Sequence, residues 1–128
     1  MDDLLKEFLT ETSESISVLD ADLAEIEKNR GDTRILSNIL HVVQTVGETS
    51  GFLDLPRLEK VSHHGEAVLG KFSDGIQEFT PEALALVRKV IDQIKHLLIE
   101  LEETSTEPEG DDSALFAELQ ALAEGRTR

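Results

Sequence analysis

The 128-residue sequence predicts an all-α protein: an antiparallel, up-and-down four-helix bundle with a short fifth helix at its C-terminal end. Three observations carry that prediction. Four long segments place apolar residues at alternating three- and four-residue steps, the period of an amphipathic helix. Breaker and capping residues separate the segments at short intervals. No stretch alternates residue by residue as a half-buried strand would, and no long internal repeat is evident.

The first segment, about 2–28, carries Leu5, Phe8, Ile16, Leu19, Leu23 and Ile26 on one stripe, with Thr12 filling its gap. Asn29-Arg30-Gly31-Asp32 breaks it, and Asp32 or Thr33 can cap the next helix. That second helix, about 33–53, shows Ile35, Ile39, Val42/Val43, Val46, Ser50 and Leu53. Gly51 and Pro56 then punctuate the chain, and Pro56 suits the first turn of a third helix, with Asp54 or Leu55 just before it. The third helix bears Leu58, Val61, Val68, Leu69 and Phe72, and should end near Ser73-Asp74-Gly75.

Thr80-Pro81-Glu82 is a start signal: a capping hydroxyl, a proline at the first helical position and an acid in the first turn. The fourth stripe is Leu84, Val87, Ile91, Ile94, Leu98 and Leu101, widened by Leu86, Val90 and Leu97. Residues 105–112 read as a linker, and the acidic groups around it (Glu100, Glu102, Glu103, Glu107, Glu109, Asp111 and Asp112) as solvated charge. A fifth helix over 113–124 would turn Leu115, Phe116, Leu119 and Leu122 to the bundle, leaving a tail at 125–128. Four such helices hide their stripes by packing against one another, which makes 1–104 the bundle proper.

Composition limits function. The formal net charge of −15 argues against nucleic acid and anionic lipid, which reward lysine and arginine patches. With no cysteine there is no disulfide framework, no thiolate metal site and no thiol nucleophile. The opening MDDLLKEFLT lacks a basic region and a long apolar run, so neither a signal peptide nor a membrane insertion is expected from it. Phosphate-binding glycine loops, dinucleotide fingerprints and Ser/His/Asp arrangements are absent, and no cofactor is implied.

Residues 44–53, Gln-Thr-Val-Gly-Glu-Thr-Ser-Gly-Phe-Leu, carry the strongest signal. This stretch resembles the active segment of histidine phosphotransfer (Hpt) domains, in particular the N-terminal P1 domain of CheA-type chemotaxis kinases. The family pattern there is His-Thr-Ile-Lys-Gly-Thr-Ser/Cys-Gly-Phe-Leu. Thr45, Val46, Thr49, Ser50, Gly51, Phe52 and Leu53 fit it. Leu55-Pro56-Arg57-Leu58-Glu59, His63, Gly65-Glu66 and Leu69-Gly70-Lys71 are similar to the family's next helix, and residues 2–12 to its first. The resemblance implies a cytoplasmic two-component or chemotaxis phosphorelay. The implied partners are a response-regulator receiver domain and a CheA-type kinase domain.

The departures from the pattern are chemical. The family's phosphoacceptor histidine falls on Gln44, its lysine on Gly47 and its glycine on Glu48. An imidazole attacks through a ring-nitrogen lone pair; an amide nitrogen has delocalised its own into the carbonyl. Gly47 cannot offset phosphoryl charge as a lysine would. Glu48, one turn from Gln44, adds repulsion of roughly 0.7 kcal/mol per unit charge at ~6 Å in water. Gln44 lies about 200° around the helix from Val42 and so points outward.

Two imidazoles are alternative acceptors. His41 stands three residues before Gln44, about 60° away on the same helix. Aligning it with the family histidine needs extra residues inside a helix, which would rotate the downstream stripe off the core. His63 and Glu66 match residues beside the family's acceptor, where the Glu holds the imidazole, so Glu66 should face Gln44 and accept from its amide. His64 reads as solvent-exposed and His96 as a packing or boundary residue. His63 and Glu66, three apart, are one pair in reverse order, whereas bundle metal clusters need repeated Glu-x-x-His pairs on facing helices; no metal site is expected.

Three readings follow. The chain is a degenerate Hpt domain that docks partners without carrying phosphate, through a face comprising His41, Gln44, Thr45, Gly47, Glu48, Gly51, His63 and Glu66. Alternatively it is an active phosphotransfer domain using His41 or His63, or a structural or dimerising bundle. No catalysis is expected of this chain alone, and it reads as the N-terminal module of a longer CheA-like kinase.

Overall fold

The computed structural model describes residues 3–75 and 78–124. It contains α1 (Asp3–Lys28), α2 (Thr33–Phe52), α3 (Pro56–Ser73), α4 (Pro81–Thr104) and α5 (Ser113–Ala123), and no strand among the described residues. The first four helices close a ring in which each packs on its neighbours in sequence and α1 returns to α4, while α5 lies against α3 and α4. The α1/α4 pair is antiparallel: Arg88 meets Glu27 at 3.1 Å, whereas Lys95 reaches back to Asp20 at 2.6 Å.

The stripes converge on one core. Leu19, Ile26, Ile39, Leu58, Leu69, Ile91, Ile94, Leu97 and Leu101 are among its fully buried members, and Leu119 brings α5 into it. Each such side chain contributes about 1.5–3 kcal/mol by leaving water. On α2 the inward series is Leu36, Ile39, Val43, Val46 and Ser50. The sequence stripe began one residue early, at Ile35, which is only partly buried. Both residues are apolar, so periodicity alone does not choose between them.

Capping places the helix starts. The Asp32 carboxylate accepts from Arg34 N at 3.0 Å and Thr80 Oγ1 from Ala83 N at 3.1 Å, satisfying first-turn donors. The α2–α3 turn is tight. Leu55 N bonds Ser50 O at 2.9 Å, and Asp54 takes φ 60°, a left-handed value that aspartate tolerates better than most residues.

The start of α3 has no local side-chain cap, because Leu55 occupies the cap position. The cap arrives from 50 residues away: Glu107 Oε1 accepts from Arg57 N at 3.1 Å and Glu107 Oε2 from Leu58 N at 2.7 Å. Arg57 in turn grips the same segment. Its Nε and Nη2 donate to the two oxygens of Asp112 at 3.0 and 2.8 Å, and its Nη1 to Pro108 O at 2.9 Å. Gln93 Nε2 adds a bond to Asp112 Oδ1 at 2.9 Å. Asp112 above all, against the cost of partial burial, pushes the Arg57 guanidinium above its ordinary pKa. Glu107 and Asp112 are therefore not solvated charge, as the sequence reading had them. They fasten the stretch between α4 and α5 across the start of α3.

Candidate functional site

Gln44 lies on the outer surface of α2, with Val43 and Val46 turned to the core on either side of it. Its Nε2 donates to Glu66 Oε1 on α3 at 3.2 Å. The polarity is fixed by chemistry, since an ionised carboxylate can only accept. Around this bridge α2 and α3 form an open cleft of about 680 Å³, lined by Leu40, Gln44, Glu48, His63, Glu66, Ala67, Gly70, Lys71 and Asp74.

His63 reaches the cleft because α2 has no side chain beneath it. A Cβ added at Gly47 would lie 3.0 Å from His63 Cδ2 and 3.2 Å from Ser62 Cβ. The lack of a side chain at 47 thus lets the His63 ring seat against α2. The α2–α3 seam continues through small residues: Ser50 and Ser62 are fully buried with hydroxyls that find no partner, and a Cβ at Gly65 would lie 3.6 Å from Val43 Cγ1 of α2. On its other side Gly65 lets α4 approach, and the same Cβ would meet Val90 Cγ1 at 2.9 Å. Small side chains bring α2 and α3 close enough for Gln44 to span them.

Apart from Gly47 and Gly51, the eight residues assigned to a docking face divide between two hollows that flank the exposed side of α2. Gln44, Glu48, His63 and Glu66 share the cleft. His41 and Thr45 instead line a groove of about 210 Å³ between α1 and α2, with Glu11, Ser15 and Thr49, and Thr45 Oγ1 bonds His41 O at 2.9 Å. His41 therefore faces the α1 side. Gly47 is buried beneath His63, and Gly51 abuts Glu59, whose Oε2 would lie 2.5 Å from an added Cβ.

Of the other two histidines, His64 is exposed as expected, and its ring also stacks on Phe116 of α5, with centroids 4.0 Å apart and planes 14° from parallel. His96 is exposed rather than packed.

Sequence reasoning missed Lys71 and Asp74 as cleft residues. Their positions eight and eleven after His63 put them on the same side of α3, and that spacing was the available signal. It also missed Phe52, 80% exposed at the end of α2. Among the described residues no group of three or more His, Cys, Asp or Glu side chains is arranged to hold a metal ion. No described helix is long and apolar enough to cross a membrane.

A bundle of helices whose second member turns an exposed amide to a glutamate on the third is the setting of this site, and known proteins share its fold. The chain belongs to the Hpt domain family, whose model matches residues 3–125. It is similar to the sensor histidine kinase CheAY of Helicobacter pylori, with 33% identity over 129 aligned residues. That match covers 95% of this chain, which spans 16% of the length of that kinase. The fold is that of the phosphorylated P1 domain of CheA3, crystallised in complex with CheY6 from R. sphaeroides. The TM-score is 0.87 at 19% identity, covering 99% of this chain and 100% of that one.

Proposed function

We propose that this Hpt domain serves a chemotaxis-type two-component phosphorelay as a docking or regulatory module that does not itself carry phosphate. The carrying observation is Gln44. It stands at the position the family reserves for the phosphoacceptor, exposed, and bonded through its amide nitrogen to Glu66. Attack on a phosphoryl group needs a free nitrogen lone pair; Nε2 has none to offer and its N–H is already engaged. The carboxylates of Glu48, Glu66 and Asp74 in the same cleft oppose an incoming phosphoryl group further.

The scaffold around the position supports recognition. The likeness to a P1 domain that was crystallised with CheY6 points to a receiver domain as partner, and the likeness to CheAY points to a CheA-type kinase domain. The docking face is the cleft and the exposed residues along α2. Such a module would work in the cytoplasm as the N-terminal part of a longer kinase. Within it we take 1–104 as the bundle, 105–112 as the connection and 113–124 as the C-terminal helix; the tail expected at 125–128 lies outside the described residues.

A second reading has one observation behind it. The His63 ring lies in the same cleft, over the bare backbone of Gly47, and retains an imidazole that could accept phosphate. Incubating the protein with a CheA-type kinase domain and ATP, then measuring intact mass, separates the two. The docking reading expects no adduct, together with chemical-shift changes at Gln44, Glu48 and Glu66 when a receiver domain is titrated in. A stoichiometric, acid-labile phosphate on His63 would overturn it. Unchanged amides throughout the receiver and kinase titrations would leave only a structural or dimerising bundle, whose mark would be self-association in sedimentation.

A further inference from the structure

Lys71 sits where two surfaces of α3 meet. On one side it borders the cleft, in company with Gln44, Glu48, His63, Glu66 and Asp74. On the other it faces α5, and its Nζ donates to Ala123 O at 2.7 Å. Ala123 is the last residue of α5, where the negative end of the helix favours a cation. While that bond holds, the ammonium is committed to α5 rather than to a carboxylate of the cleft, although Lys71 still lines it. The other polar groups lining it are the Gln44 amide, the His63 imidazole and three carboxylates, Glu48, Glu66 and Asp74.

The holder of this lysine is itself weakly self-sufficient. α5 has 11 residues, below the ~12–15 at which even good helix-forming sequences become stable alone in water. Its place depends on tertiary anchors: Leu119 and Leu122 in the core, the stack of Phe116 on His64, the Asp112–Arg57 pair at its start and Lys71 at its end. Three of these anchors rest on residues of α3, Arg57, His64 and Lys71, the helix that also carries the cleft residues His63 and Glu66.

We infer that α5 is a releasable clamp that sets the charge of the Gln44 cleft by withholding Lys71. Docked, α5 keeps the cleft anionic, so the face favours a partner offering a basic group. Released, α5 lets the flexible four-carbon stem swing the ammonium towards Glu66 and Gln44, and the same face then tolerates an acidic or phosphorylated partner. The consequence for partners rests on the docking reading above. The clamp itself does not, because Lys71 can be read directly.

The test is pulse acetylation of the full chain with an N-hydroxysuccinimide ester, followed by mass spectrometry, taking the exposed Lys60 as internal reference. In the double variant F116A/L119A, the Lys71/Lys60 labelling ratio should rise about tenfold as the open population of α5 grows. The side-chain amide signal of Gln44 should move on addition of inorganic phosphate, and should not when K71M is added to the double variant. An unchanged ratio in a variant whose α5 amides exchange freely would overturn the inference. Should the double variant lose its helical circular dichroism altogether, K71M in the otherwise native chain decides. The clamp predicts faster amide exchange in the last turn of α5 and an unmoved Gln44 signal. A displaced Gln44 signal, or unaltered exchange in α5, would show that Lys71 already serves the cleft or does not hold the helix.

Discussion

Replacing Glu107 by alanine should destabilise the whole bundle, although residue 107 lies outside every helix. Two first-turn donors of α3 depend on its carboxylate, at 3.1 Å from Arg57 N and 2.7 Å from Leu58 N, and Leu55 offers no side-chain cap of its own. Loss of an N-cap side chain costs about 0.5–2 kcal/mol, and loss of a carboxylate from the positive end of a helix about 0.3–1 kcal/mol more. Together they predict about 2 kcal/mol for Glu107→Ala. For a domain of this size that lowers Tm by roughly 6–10 °C. Glu107→Gln keeps a carbonyl oxygen to accept one bond but loses the charge, and should cost about half as much. Urea and thermal unfolding measure both. The control is Glu109→Ala, an exposed neighbour of the same charge that should stay within about 0.5 kcal/mol of wild type. If Glu107→Ala were no more harmful than Glu109→Ala, the long-range cap would have no energetic content and the fastening of this segment would be incidental.

Gly65→Ala should cost about 1–3 kcal/mol in equilibrium unfolding, because the new Cβ would press on Val90 Cγ1 at 2.9 Å inside a packed core. Ser62→Ala should be neutral or stabilising by up to about 1 kcal/mol, since it removes a buried hydroxyl that has no partner; a clear loss of stability would mean that the hydroxyl is satisfied after all. The Asp32 carboxyl is held below its ordinary pKa chiefly by its bond with the Arg34 side chain. A carboxyl with a depressed folded-state value stabilises above its unfolded value of ~3.9 and loses that contribution as pH falls through the folded one. The stability gap between wild type and Asp32→Ala should therefore narrow in acid titrations below that point, and a gap that widened would contradict the assignment. Gln44→His should admit an acid-labile phosphate from a CheA-type kinase domain, read by intact mass. Adding Gly47→Lys should help only once His63 is shortened, because Cδ2 of that ring lies 3.0 Å from the Cβ the lysine would bring.

The helices and their inward faces were written in local sequence. The stripes of α1, α3 and α4, the Asp32 and Thr80 caps and the prolines at 56 and 81 each depend on residues within one or two turns of one another, and helical periodicity exposes such relations directly. Gln44 was legible in the same way: its outward direction was read from the register of Val42, Val46 and Ser50, and that direction holds although Val43 is the fully buried valine and Val42 only partly so. Its partnership with Glu66 came from a family resemblance and could not have come from spacing within α2.

Tertiary structure decided the rest, because it turns on which helices are neighbours and how closely they approach. Only the packed bundle separates His41, on the α1 side, from His63, on the α3 side. Only close contact between α2 and α3 makes Gly47 a seat for an imidazole. The pairing of Arg57 with Asp112 spans 55 positions of sequence and that of Lys71 with Ala123 spans 52. A one-dimensional pattern carries no information about such pairs, since their geometry exists only after the apolar stripes have been buried against one another.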